Sequence, residues 1–197
     1  MAQITYPTPS IVRETSTGFS TVSIASEMFA NREIECVGVV DEAMTYSICQ
    51  QLRQLQRMDP FEQITIYFNS PGGEVQSGLA IYDTMQAISC PVRTVCLGMA
   101  ASMSALLFMA GDQRDMLPHA RILIHDPLTA GGVGGSALEL KTKADQLMRT
   151  REITAEVISK HTGHPIEEVY DKTQHDAWFE APEAVAWGIA DQIIDKL

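Results

Sequence analysis

An α/β fold, in which strands and helices alternate along one chain, is the class this sequence predicts, and three observations carry that expectation. Short runs rich in apolar and β-branched residues, Ile64-Thr65-Ile66-Tyr67-Phe68, Val92 to Leu97 and Arg121 to Ile124, read as strands. Between them apolar residues recur at helical spacing, as Met44, Ile48, Leu52 and Leu55 and again as Leu79, Tyr82, Met85 and Ile88. The strands deliver glycine-rich or polar segments to one edge, the place where α/β folds put their sites.

Taken in order, residues 1–15, with Pro7 and Pro9, read as a mobile amino-terminal arm ahead of a single domain over 16–197. The first helix is expected from Asp41, whose carboxylate suits the unpaired N–H groups of a first turn. The strand at 64–68 leads into a glycine loop and the helix of Leu79 to Ile88. The strand at 92–97 precedes a short apolar helix from Ser102 to Ala110, and the strand at 121–124 ends on His125-Asp126-Pro127. Ser136 and Glu139 form a capping-box pattern, so a long helix should run from 136 to 161 and stop at Gly163. Pro165 is placed to start a shorter helix, and Pro182 another that Gly188 closes before a last strand over Ile189 to Ile194. No internal repeat or low-complexity block interrupts this order.

Composition narrows the function. At 197 residues and 45% hydrophobic the chain can bury a full core as one domain. A formal net charge of -11 would repel a nucleic-acid backbone or an anionic membrane surface, and no basic patch interrupts it. Cys36, Cys49, Cys90 and Cys96 lack metal-ligand spacing. Cys36, Cys90 and Cys96 lie in or beside apolar runs, where thiols act as small hydrophobes, so a reducing cytosol fits. The segment Met1 to Pro7 has neither a basic nor an apolar leader region, and the longest apolar runs are too short to span a bilayer. A cytoplasmic protein, neither exported nor membrane-bound, is expected.

Two segments carry chemistry. In Asn69-Ser70-Pro71-Gly72-Gly73 the paired glycines allow backbone N–H groups to converge on one small anion, the outline of an oxyanion hole. In Gly98-Met99-Ala100-Ala101-Ser102-Met103 a serine stands at a strand-to-helix turn. Ser102 could serve as a nucleophile or merely as an N-cap, and the turn lacks the flanking glycines of the hydrolase nucleophile elbow. A serine nucleophile needs a base. Among five histidines His125 is best placed, at the end of a strand, whereas His119, His161, His164 and His175 sit in polar loops or helix ends. The plain alternative for His125 is a hydrogen-bonded core histidine. Asp176, before the aromatic pair Trp178-Phe179, could orient the imidazole or could cap a helix, while Asp126 should point to the other face of an extended chain. Spacing alone does not separate Asp176 from Asp112.

These segments, together with His125-Asp126-Pro127-Leu128 and the Asp176 segment with Glu183-Ala184-Val185, resemble the proteolytic subunits of the Clp protease family, in order from about Ile11 to Ile194. The resemblance implies a ClpP/crotonase-like spiral of ββα units with a long protruding helix. It further implies Ser102 as nucleophile, His125 as general base and Asp176 as orienting carboxylate, with oxyanion donors on Gly73 and Met103. Peptide substrate would lie as an added strand along Gly131, Gly132 and Val133. The same resemblance implies two stacked seven-membered rings joined by the long helix, no metal or cofactor, and docking of an ATP-driven AAA+ unfoldase. Departures stand beside it: Asp126 replaces the usual glutamine, Thr129-Ala130 a glycine pair, and Gln174 and His175 an acid-arginine pair that links rings. In the unfoldase pocket Tyr67 and Ile194 fit the pattern, but Thr65, Ala87 and Asp115 fall where bulky aromatics are common. An aspartate in an apolar pocket should oppose docking through its desolvation cost, leaving this chain to bind an unfoldase weakly or to work beside a sibling subunit. The glycine loop also resembles that of acyl-CoA hydratases and isomerases of the crotonase superfamily, and a weakly active structural ring subunit is the third reading.

Overall fold

The computed structural model describes residues 8–129 and 134–197. Within the stretch read as an arm, β1 (Ser10–Thr15) pairs antiparallel with β2 (Gly18–Ser23), and the hairpin is tied to α1 (Ile24–Ala30) by an ion pair between Arg13 and Glu27. Neither follows from hydrophobic periodicity: the hairpin residues are almost all exposed, and α1 is a seven-residue helix with no fully buried side chain. The chain then enters β3 (Glu33–Val40), which a polar-apolar alternation with buried Ile34, Cys36 and Val40 fits to one face of a sheet.

From there strands and helices alternate as the sequence predicts. Helix α2 (Glu42–Met58) starts at Asp41, whose carboxylate accepts from Met44 N at 2.8 Å, and it buries Ile48, Leu52 and Leu55. Strand β4 (Ile64–Gly73) extends through the whole glycine loop, and α3 (Val75–Ala87) follows it. Strand β5 (Val92–Ala101) leads to α4 (Met103–Met109), every residue of which is buried. Next come β6 (Gln113–Met116), β7 (Arg121–Ile124) and α5 (Ala137–Thr162). Helix α5 has both halves of its capping box at Ser136 and Glu139 and closes on Gly163 in the left-handed region. The chain ends with α6 (Ile166–Thr173), β8 (Ala177–Glu180), α7 (Ala181–Ala186) and β9 (Gln192–Ile193).

The sheet forks at β5. Strands β3, β4 and β5 run parallel, and the first half of β5 pairs with β6 (Arg93 with Gln113 to Cys96 with Met116), which β9 then extends. The second half of β5 pairs instead with β7, from Met99 with Arg121 to Ala101 with Leu123. Strand β8 adds antiparallel to β7. The core lies between this sheet and α2, α3 and α4, with Phe68 and Phe108 edge to face at 6.0 Å. Cys36, Cys90 and Cys96 are buried within it as expected of small hydrophobes. Burial pushes the Cys36 and Cys96 thiols up to about 12.

One expectation is corrected here. Asp115 is not a bare carboxylate in an apolar pocket. It is fully buried, paired with Arg93 Nη2 at 2.7 Å, and it accepts from Gln113 Nε2 at 3.0 Å and Gln192 Nε2 at 3.1 Å. Its desolvation is offset by an ion pair and two amide donors, which makes the patch polar and internally satisfied.

Candidate active site

Three chain segments that lie far apart in sequence converge at the carboxyl end of the forked strand. The parallel ladder of β5 and β7 ends with Ala101 opposite Leu123, and the next residue, Ser102, donates its N–H to Leu123 O at 2.8 Å. The antiparallel ladder of β7 and β8 ends with Ile124 opposite Ala177. The next residues on those two chains are His125 and Asp176. Register alone therefore puts the serine, the histidine and the aspartate at the rim of three adjacent strands. Asp112 goes elsewhere: its carboxylate accepts from Val92 N at 2.8 Å, at the opposite end of β5. That separation is invisible to spacing because it depends on which strand pairs with which.

Ser102 has the backbone of a constrained turn. Its φ of 55° and ψ of -125° lie outside the regions open to most residues with a Cβ, at a cost of about 1–3 kcal/mol. It holds the N-cap position of α4, yet its side chain makes no capping bond. The hydroxyl is thus not committed to the role that would most simply explain a serine there. Although the turn lacks an elbow's glycines, it has an elbow's strain. The signal for that strain is absent from the local sequence.

The glycine loop packs directly on this turn. Gly72 has a φ of +87°, and a Cβ there would stand 2.4 Å from Ala101 O, 2.8 Å from Ser102 Cβ and 3.0 Å from Met103 N. A Cβ on Gly73 would stand 2.1 Å from Val40 O, so both positions need glycine to let β4 pass between β3 and the Ser102 turn. Met103 is buried with its side chain against Gly78, which fixes the residue whose N–H follows Ser102.

Ser102, His125 and Gly73 line one cleft of about 540 Å³. Its other walls are Val39, Pro71, Val75, Leu123, Pro127 and Leu128, with Glu74 its acidic member. Glu74 Oε2 accepts from Ser77 Oγ at 2.9 Å. Ser102 and His125 are half-buried and Asp176 is exposed. Among the described residues no hydrogen bond joins Ser102 Oγ to His125 or His125 to Asp176. Asp126, expected on the other face, does lie away from the cleft lining, bonded to Arg151 and Thr173. Gly131, Gly132 and Val133 lie outside the described residues. Leu128 and Val39, both exposed cleft walls, are functional candidates to which the sequence reading gave no role; Leu128 closes the His125 segment, Val39 stands in no motif, and only the fold brings the two together.

The Clp protease family model matches residues 16–197. The chain is also 40% identical over 196 residues to the ATP-dependent Clp protease proteolytic subunit of Porphyromonas gingivalis, an overlap covering 98% of this chain and 87% of that relative.

Proposed function

The chain belongs to the Clp protease family and is a serine-type peptidase subunit; on that premise we propose that Ser102, His125 and Asp176 form its catalytic triad. The observation that carries this reading is register: Ser102 N bonded to Leu123 O, with His125 and Asp176 the next residues beyond the β7–β8 ladder. Family membership also removes the acyl-CoA hydratase alternative.

In the proposed mechanism His125 takes the proton of Ser102 Oγ as the hydroxyl attacks the scissile carbonyl, then gives it to the leaving amine. Asp176 accepts from the imidazole and fixes which ring nitrogen faces the serine. The carbonyl oxygen, negatively charged in the tetrahedral intermediate, sits between the N–H groups of Gly73 and Met103, each worth about 10²–10³ in rate. Water then hydrolyses the acyl-enzyme by the same route.

Unfolded proteins and peptides are the proposed substrates, laid as an added strand that reaches Gly131, Gly132 and Val133. The proposed assembly is two stacked heptameric rings in the cytoplasm, with α5 at the contact between rings. The surface over buried Asp115, formed by its partners Arg93, Gln113 and Gln192, is polar, so an apolar loop of an AAA+ unfoldase gains little by covering it. Weak docking, or reliance on a sibling subunit, follows.

The test is labelling with a fluorophosphonate. Wild-type protein should become labelled at Ser102, Ser102→Ala should not, and His125→Ala should label at least about 10²-fold more slowly. Equal labelling of wild type and Ser102→Ala, or peptide cleavage that survives Ser102→Ala, would overturn the assignment.

A further inference from the structure

Asp126 follows the proposed base directly, and both of its carboxylate oxygens are engaged. Oδ1 accepts from Thr173 Oγ1 at 2.7 Å, and Oδ2 accepts from Arg151 Nε at 2.5 Å. The Asp126 N–H donates to Thr173 O at 2.8 Å. The Arg151 guanidinium in turn lies 4.0 Å over the ring of Tyr170. Four residues therefore pin three elements to one point: the end of β7, the middle of α5 and the last turn of α6.

That point lies between the two groups whose spacing matters most. On one side it is adjacent in the chain to His125. On the other, Thr173 ends α6, and the short connection Gln174-His175-Asp176 leads from it into β8. The β7–β8 ladder fixes His125 and Asp176 from one end, at Ile124 and Ala177, and the contacts of Asp126 with Thr173 fix the same two segments from the other. With the side chains of Arg151 and Asp126 only 24% and 32% exposed, the ion pair is shielded from the screening that makes surface pairs weak. A charge-assisted bond of this kind restricts direction as well as distance.

We propose that Asp126 is a positioning residue for the peptidase reaction, holding the His125 backbone at the separation from Asp176 that lets the imidazole bridge to Ser102. It touches neither substrate nor reacting atoms; Arg151 and Thr173 act through it. The inference rests on the triad reading above. General-base catalysis is steep in geometry, since a displacement of about 1 Å costs on the order of 10² in rate.

The test compares cleavage of a short fluorogenic peptide per active site, titrated with the fluorophosphonate, in wild type, Asp126→Asn, Arg151→Gln, Arg151→Lys and Thr173→Val, with Ser102→Ala as reference. Asp126→Asn and Arg151→Gln should each lower kcat about 10- to 100-fold with KM within about twofold. The double variant should be no worse than either single one, and Arg151→Lys should recover most of the rate. A clasp that only adds stability would lower the melting temperature and leave kcat per site unchanged in every variant, and that result overturns the proposal. If Asp126→Asn fails to fold or assemble, Thr173→Val decides: it deletes one buried hydroxyl at constant shape, and an unchanged kcat there overturns the proposal. Activity surviving in Ser102→Ala marks failure of the triad reading itself. A dead Ser102→Ala beside unimpaired Asp126→Asn marks failure of this inference alone.

Discussion

Gly72 shows how one missing Cβ governs the chemistry around it. Its left-handed backbone and the 2.4 Å approach of Ala101 O leave no room for a methyl group, so Gly72→Ala must push β4 away from the Ser102 turn. The expected result is a loss of about 10²-fold in kcat, the scale of one oxyanion donor, with a melting temperature several degrees lower. Steady-state cleavage and thermal unfolding check the two halves separately. The cysteines follow burial: Cys36 and Cys96, with thiols at about 12, should resist a disulfide reagent at pH 8, and half-buried Cys49 should react first. Mass mapping after brief exposure reads the order; modification of Cys36 before Cys49 in folded protein would contradict it. His161 reports on pH. Desolvation, then the charges of Lys160 and Arg114, lower it to about 4, while its Nε2 lies 2.9 Å from Tyr82 Oη. A folded-state pKa below the ordinary 6.5 means that the neutral ring favours folding. That stability is complete above about pH 6.5 and drains as pH falls toward 4. Between pH 7 and pH 4.5 the fall in melting temperature should be about 2–4 °C smaller in His161→Gln than in wild type.

Helix α5 was legible in the sequence at both ends because its stops are chemical. Ser136 Oγ accepts from Glu139 N at 3.4 Å, Glu139 Oε2 accepts from Ser136 N at 2.6 Å, and Gly163 ends the helix in the left-handed region. The backbone bond from Ser136, then the Ser136 side chain, hold the Glu139 carboxyl below its usual range. Its stabilising effect is therefore present above that range and lost on acidification. Ser136→Ala should speed amide exchange of residues 137–140 several-fold and leave 150–160 unchanged, as hydrogen exchange by mass spectrometry would read; uniform exchange would show that the cap is idle. Strand β8 is the opposite case. Its four residues, Ala-Trp-Phe-Glu, have no periodic signature, and only pairing with β7 makes them a strand. The hairpin, β3 and β6 escaped for related reasons, being exposed, irregular at Gly38, or too short.

The whole molecule carries a net charge of -11, and copies that pack into rings must bring like charges together. If rings form as proposed, raising salt from about 20 mM to about 300 mM should increase the assembled fraction, because screening shortens the range of that repulsion. Sedimentation velocity reads the outcome, and assembly that dissolves as salt rises would point instead to ion pairs as the glue. Among the described residues no helix is long and apolar enough to cross a membrane. The fork of β5 is the feature at this scale that makes the site, since one strand must pair with β6 at its start and β7 at its end.

Local chemistry by itself determined the α/β class, the start of α2, both ends of α5, the glycine loop, and the candidate residues Ser102 and His125. Each of these rests on interactions within a few residues of chain, or on a period that the chain displays along its own length. Tertiary structure decided what spacing left open: that strand register puts Asp176, which the family resemblance had implied, and not Asp112 at the strand end next to His125, that Ser102 carries strain instead of a capping bond, and that Asp115 is paired with Arg93. Those outcomes depend on strand register and on contacts between segments distant in sequence, and pairing across a sheet leaves no mark in the order of residues on either strand.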